Sequence, residues 1–331
     1  MRPYASGVRR LAGACLLALA GSASVVAQRA GSPPDALPPA LEAMVDTERA
    51  FAKRALEVGW KQAFLDYFSD SAVGYNGEEI GLAKEQIRAN PDPPKDHQLL
   101  WEPRYGDVAR SGELGYLTGP SRNILPSRNN GQPRHGAYAS VWKRERDGTF
   151  RVVMDVGTTT PRAPAFPDTF TRAPSANRFT GDLTDRTPPL GTADSVLNSD
   201  LRTGATQAYR GRLAPGVRFH RPLTMPILGE AAVLRYLATQ PRYDQIDSRF
   251  AESAQSGDLG YTWGTWSRRL PPSRGRAATG QPGAPARGRE SARGASPARQ
   301  DDRERFETGI YTRVWVRDRG GQWKVALDVL N

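Results

Sequence analysis

The stretch from Gly136 to Gly157, GAYASVWKRERDGTFRVVMDVG, returns from Gly309 as GIYTRVWVRDRGGQWKVALDVL. Tyr138 and Tyr311, Val141 and Val314, Trp142 and Trp315, and Asp155 and Asp328 fall at equal offsets. In each copy Tyr precedes Asp by 17 residues, and a glycine (Gly148, Gly321) precedes that Asp by seven. An upstream block is matched as well, SGELGYLTG from Ser111 and SGDLGYTWG from Ser256. Two matched blocks in one order predict the duplication of a whole domain. Asp147-Gly148, set between two strand-like runs, predicts a hairpin joining the last two strands of the first copy.

Upstream of these blocks the pattern turns helical. Leu41, Met44, Val45, Phe51, Ala52 and Leu56 recur at spacings near 3.6 and predict an amphipathic helix over Ala40 to Val58. Gly59 breaks it, and Trp60 to Phe68 forms a second, shorter helix. A strand follows around Ala72 to Tyr75, then a helix from Leu82 to Ala89 stopped at Asn90-Pro91. The second copy repeats this order with helices at Ser195 to Leu201 and Glu230 to Thr239 and a strand at Val217 to His220. Helices followed by a run of strands make an α+β plan, with a strongly curved antiparallel sheet wrapped on two or three N-terminal helices in each copy. The domains expected are 40–157 and 193–331, joined by a Pro-rich linker over 158–192.

Helix, helix, strand, helix, then SGELGYLTG and GAYASVWKRERDGTFRVVMDVG, resembles the nuclear transport factor 2-like superfamily, most of all its SnoaL-like bacterial domains of unknown function. The resemblance covers about 120 residues of each copy and is most specific at the final hairpin. It implies a cone, a bent sheet around helices with a pocket at the open end. It does not extend to catalytic sets: neither the Tyr and two Asp of ketosteroid isomerases nor the Asp and His of SnoaL-type cyclases has a matching position. Domains of this superfamily commonly pair through their sheets, which implies a pseudo-dimer of the two copies within one chain, the whole being a monomer or homodimer.

The aromatic residues Trp101, Tyr116, Tyr138 and Trp142, with Tyr261, Trp263, Tyr311 and Trp315 (and Trp266 beside them), are dense enough to line a small-molecule pocket or to form a sheet-to-sheet interface. Asp155 and Asp328 are candidate general bases, since a half-buried carboxylate can be tuned towards neutral pH. Their recurrence favours a structural role, because what the fold requires appears wherever the fold does. Plain alternation puts Arg151, Val153 and Asp155 on one face, and Lys324, Ala326 and Asp328 likewise. Of the three histidines His220 is the candidate to face a pocket, with a partly exposed structural role the favoured alternative, while His97 and His135 are expected in solvent. With three histidines and one cysteine, Cys15, no metal site and no cofactor are expected.

The formal net charge of +11 is concentrated in two places. Arg2, Arg9 and Arg10 lie in the leader, and Arg268–Arg305 holds ten arginines against Glu290, Asp301, Asp302 and Glu304. The remaining chain is close to neutral, so specific nucleic-acid binding is not expected. The insert over 271–303 has almost no apolar side chains and is expected to be disordered. Residues 1–27 have the form of a signal peptide, with Arg9-Arg10, a short apolar run and a cleavage site after Ala27, and 28–39 form a tether. An exported chain, periplasmic or extracellular and without a membrane span, is the expectation. Its function is expected to be binding of a small apolar or amphipathic molecule. An isomerase- or cyclase-like enzyme with a pocket Asp as base, and an envelope scaffold or protein-interaction module, are the alternatives.

Overall fold

The computed structural model describes residues 36–75, 77, 79–127, 131–176, 178–181, 188–269 and 306–331. The leader and the 271–303 insert lie outside the described residues. Residues 37–331 form one compact unit.

The first half opens with α1 (Pro39–Val58) and α2 (Trp60–Tyr67), followed by β1 (Phe68–Tyr75), β2 (Ile80–Leu82) and α3 (Ala83–Ala89). Its remaining strands are β3 (Gln98–Trp101), β4 (Tyr105–Val108), β5 (Leu114–Ile124), β6 (Arg134–Arg144), β7 (Phe150–Thr159) and β8 (Thr171–Arg172). The second half has α4 (Leu190–Leu201), α5 (Ala205–Tyr209), β9 (Leu213–His220), β10 (Ile227–Leu228) and α6 (Glu230–Leu237). It ends in β11 (Gln245–Ser253), β12 (Leu259–Arg269), β13 (Phe306–Arg317) and β14 (Trp323–Leu330). The architecture is α+β, with two curved sheets in the orders β2-β1-β7-β6-β5-β4-β8 (with β3 also on β5) and β10-β9-β14-β13-β12-β11.

Three departures from the sequence expectations have physical causes. Each sheet is mixed rather than purely antiparallel, because the helix-to-strand passage brings β1 parallel to β7 and β9 parallel to β14. The joining segment is not a plain tether. β8 adds to the first sheet beside β4, and Arg178 is drawn in by two buried carboxylates, Asp107 and Asp258. The stripe of α1 runs through Leu41, Met44, Val45, Glu48, Phe51 and Ala55, so that Leu56 is 56% exposed and an acid occupies a core position.

A β-bulge sits at the same place in both final hairpins. Pairing passes from Val141–Met154 to Trp142–Val152, leaving Val153 without an opposite. In the second half it passes from Val314–Leu327 to Trp315–Val325, leaving Ala326 over. The extra residue resets the alternation. Val153, Met154 and Val156 face outward, while Phe150, Val152 and Asp155 face the helices. Asp155 therefore does not share a face with Arg151 and Val153, nor Asp328 with Lys324 and Ala326. Tight turns close both hairpins, with Gly148 at φ 85° and Gly321 at φ 78°, a region that favours glycine.

Three apolar clusters result. One fills the first cone, where Phe51, Phe68, Leu117, Trp142, Phe150 and Val152 meet. Another fills the second with Leu197, Tyr209, Phe219, Tyr311, Trp315 and Val325. The third draws on the outer faces of both sheets, including Tyr116, Val141 and Met154 from one and Tyr261, Val314 and Leu327 from the other. Gly115 and Gly260 let the first helices approach the sheets, since a Cβ there would meet Met44 at 2.7 Å and Leu190 at 2.6 Å.

Candidate functional site

Among the described residues, the interior of the first cone holds the carboxyls of Glu48 and Asp155 and no buried cation. Glu48 projects from the apolar stripe of α1. It accepts hydrogen bonds from Trp101 Nε1 (2.6 Å), Trp142 Nε1 (2.6 Å) and Ser140 Oγ (2.6 Å). Burial pushes its carboxyl up to about 6, against the pull of those three donors. Asp155 is the cross-strand neighbour of Ser140 and faces the same interior. Burial, reinforced by the charge of Glu48, pushes it up to about 8, while only the Val156 backbone N–H lowers it. At neutral pH Asp155 thus holds its proton in the folded protein. The side chain is only partly buried, so solvent reaches it. Tyr138, two residues before Ser140 on β6, has a buried hydroxyl with no hydrogen-bond partner, and burial raises its pKa well above the ordinary phenol value.

The same strand positions in the second cone carry a different arrangement. Arg313 stands at the strand position that Ser140 holds in the first half, opposite Asp328. Its Nη1 donates to Asp194 Oδ1 (2.7 Å) and Asn198 Oδ1 (2.7 Å), and its Nε to Asp328 Oδ2 (2.8 Å). Arg221 Nη2 lies 2.7 Å from the other Asp328 oxygen, and Tyr209 donates its hydroxyl to Asp328. Burial alone would raise Asp328, but Arg221, Arg313 and Tyr209 together hold it below the usual carboxylate range. Asp194 also accepts from Tyr311 (2.6 Å) and Thr262 (2.9 Å). Two buried acids meet two buried arginines.

Of the aromatic candidates, Trp101, Tyr138 and Trp142 come together around Glu48, and Tyr311 and Trp315 lie in the second interior, with Trp315 Nε1 on Thr262 Oγ1 (2.9 Å). Tyr116 and Tyr261 do not face a cone. They belong to the cluster between the sheets, with Trp263 packed on its edge and stacked on Phe250. His220 is likewise displaced: Phe219 points into the second cone, so His220 points out of it. Burial and the charges of Arg218 and Arg221 push it down to about 3, and neither ring nitrogen has a partner. It is a buried neutral side chain on the face away from the helices. His97 is not simply solvated, since it links Trp60 Nε1 (3.1 Å) to Asn123 Oδ1 (3.0 Å). Among the described residues no group of His, Cys, Asp and Glu is arranged to hold a metal ion, and no helix is long and apolar enough to cross a membrane.

Glu48, Asp194, Tyr209 and Arg313 are site residues that pattern reading passes over. The signal for Glu48 was present, as an acid three residues before Phe51 and three after Val45 on an apolar stripe.

No family model matches the sequence, and no curated protein does. Several solved structures match in part. A nuclear transport factor 2-like superfamily protein from Salmonella enterica serovar Typhimurium matches 43% of this chain and 87% of its own, at 8% identity and a TM-score of 0.28. An NTF2-like protein of unknown function from Shewanella oneidensis matches 42% of this chain and 93% of its own, at 12% identity and a TM-score of 0.27. A protein from Catenulispora acidiphila in complex with S-DNPA matches 37% and 95%, at 16% identity and a TM-score of 0.28.

Proposed function

We propose that the first cone binds a small, largely apolar molecule that presents a hydrogen-bond acceptor. The observation that carries this is Asp155, a carboxyl in apolar surroundings, reached by solvent and without a cation, whose counterpart Asp328 is held by two arginines and a tyrosine. At neutral pH the protonated Asp155 and the unpartnered Tyr138 hydroxyl are both donors, and Trp101 and Trp142 supply apolar walls. Glu48 is not a free base, because three donors already occupy its oxygens.

Native mass spectrometry tests the reading. The protein should carry a non-covalent adduct of a few hundred daltons (roughly the mass of a pocket-sized ligand). Asp155→Ala and Tyr138→Phe should each weaken its retention about tenfold, the worth of one buried hydrogen bond. An adduct that survives both changes, or that is lost on changing the second cone alone, contradicts the proposal.

A second reading has its own support. Carboxyls near 6 and 8, close together, suit a site that moves a proton near neutral pH. In that enzyme Asp155 would act as base only in its ionised form, so the rate would rise with pH towards about 8.

The two halves are further proposed to be duplicated members of the nuclear transport factor 2-like superfamily packed as an intrachain pseudo-dimer. Reciprocal contacts support this. Ser111 N–H donates to Ser256 Oγ (3.1 Å), and Ser256 N–H to Ser111 Oγ (3.2 Å). Arg110 N–H donates to Asp258 (3.2 Å), and Gln255 N–H to Glu113 (2.6 Å). Export is proposed from residues 1–27. The intact mass of periplasmic protein should begin at Gln28, and a retained leader would contradict export.

A further inference from the structure

Next to the Ser111–Ser256 contact lies a crevice of about 620 Å³, walled in part by Arg110, Arg144, Arg172 and Arg178. Among the described residues its arginines outnumber the carboxylates that face them. Arg178 lies 8% exposed between Asp107, whose Oδ2 receives Nη1 at 2.7 Å, and Asp258, whose Oδ2 is 2.9 Å from Nη2. Arg172 Nε also donates to Asp107, at 2.9 Å. These two acids face two arginines, and the other two arginines have no carboxylate partner among the described residues. Arg110 donates to the Thr180 carbonyl (2.7 Å), and Arg144 lies over the Phe150 ring at 4.7 Å. Arg178 Nε, fully buried, makes no hydrogen bond.

The cluster is also confined to one of two equivalent corners. The position matching Arg110 is Gln255, and the one matching Arg144 is Arg317. The guanidinium of Arg317 is taken up by the carbonyls of Gly257 (2.9 Å) and Pro188 (3.2 Å). Arg172 and Arg178 come from the segment joining the halves and have no counterpart. A cation set that the fold needed would recur at both corners. This one does not.

We propose that the crevice binds a multiply charged phosphate group, as found on a phosphate ester or diphosphate small molecule. Guanidinium groups recognise such oxygens through paired, charge-assisted hydrogen bonds. The volume admits a diphosphate together with the group that carries it. The site uses none of Glu48, Trp101, Tyr138, Trp142 and Asp155, so its fate is independent of that binding reading.

The test is calorimetric titration of the full chain with sodium pyrophosphate at low salt, beside sodium chloride of matched ionic strength. Saturable pyrophosphate binding is expected, weakened about tenfold by Arg110→Gln and about tenfold by Arg144→Gln, one charge-assisted contact each. Both side chains are surface groups, and unchanged circular dichroism will show that the variants fold. A chain lacking residues 271–303 should bind as before. A heat that chloride reproduces, binding undiminished in the double variant, or binding lost with the 271–303 segment would each overturn the proposal.

Discussion

Ser140 and Arg313 occupy corresponding strand positions in the two final hairpins, and the difference between them separates the two interiors. With serine, Glu48 and Asp155 share an apolar space without a counter-charge. With arginine, Asp194 and Asp328 are neutralised. The consequence for stability has a definite sign. Asp155 titrates near 8 when folded and near the usual carboxylate value when unfolded, so the folded state binds the proton more tightly. Stability is therefore fully present below pH ~4 on this account and is lost as pH rises towards about 8. Asp155→Asn should remove that slope and stabilise the protein at pH 8 by on the order of 2 kcal/mol, less than full burial would give, because solvent reaches the carboxyl. Thermal melts of both proteins across that range check it. Asp328→Asn should do the reverse, costing about 3–5 kcal/mol by leaving Arg313 and Arg221 buried without their partner, measurable by urea denaturation. Simple recurrence made Asp155 and Asp328 look like one structural feature; Arg313 stands in the matched block itself, but Glu48, Asp194, Tyr209 and Arg221 are far away in sequence, and of these only Glu48 announced itself, as an acid on an apolar stripe.

At the scale of the element, the hairpin blocks made the α+β plan and the approximate helix positions legible, because period and turn chemistry are local. The bulge was not legible. Val153 and Ala326 look like ordinary strand residues, and one extra residue inverts every facing assignment on one side of it. The same limit applies to Tyr116, Tyr261 and His220, whose direction depends on which face of each sheet is covered by helix and which by the other sheet. β8 and Arg178 belong here too, since nothing in a Pro- and Thr-rich segment shows that Asp107 and Asp258 await an arginine. Arg178→Ala should destabilise the protein by about 3–5 kcal/mol, because two carboxylates are then buried without it, and urea denaturation would show the loss. A change below about 1 kcal/mol would mean that the joining segment is only a surface strap.

At the scale of the molecule, each half covers an apolar sheet face on the other. Tyr116, Val141 and Met154 on one side and Tyr261, Val314 and Leu327 on the other are buried in the shared cluster. Expressed alone, residues 37–181 or 188–331 would expose that face. Size-exclusion chromatography with light scattering should show each half self-associating or aggregating at concentrations where the whole chain stays at a single, defined mass. Independent, monomeric halves would argue against the pseudo-dimer packing.

The most direct measurement is a pH titration of the aspartate carboxyl carbons by nuclear magnetic resonance, assigned with Asp155→Asn and Asp328→Asn. The predicted result is an Asp155 midpoint near 8, with Asp328 still ionised below the ordinary carboxylate range. Two midpoints together near 4, the ordinary value, would mean that the interiors are equivalent, and would contradict a binding site confined to the first cone.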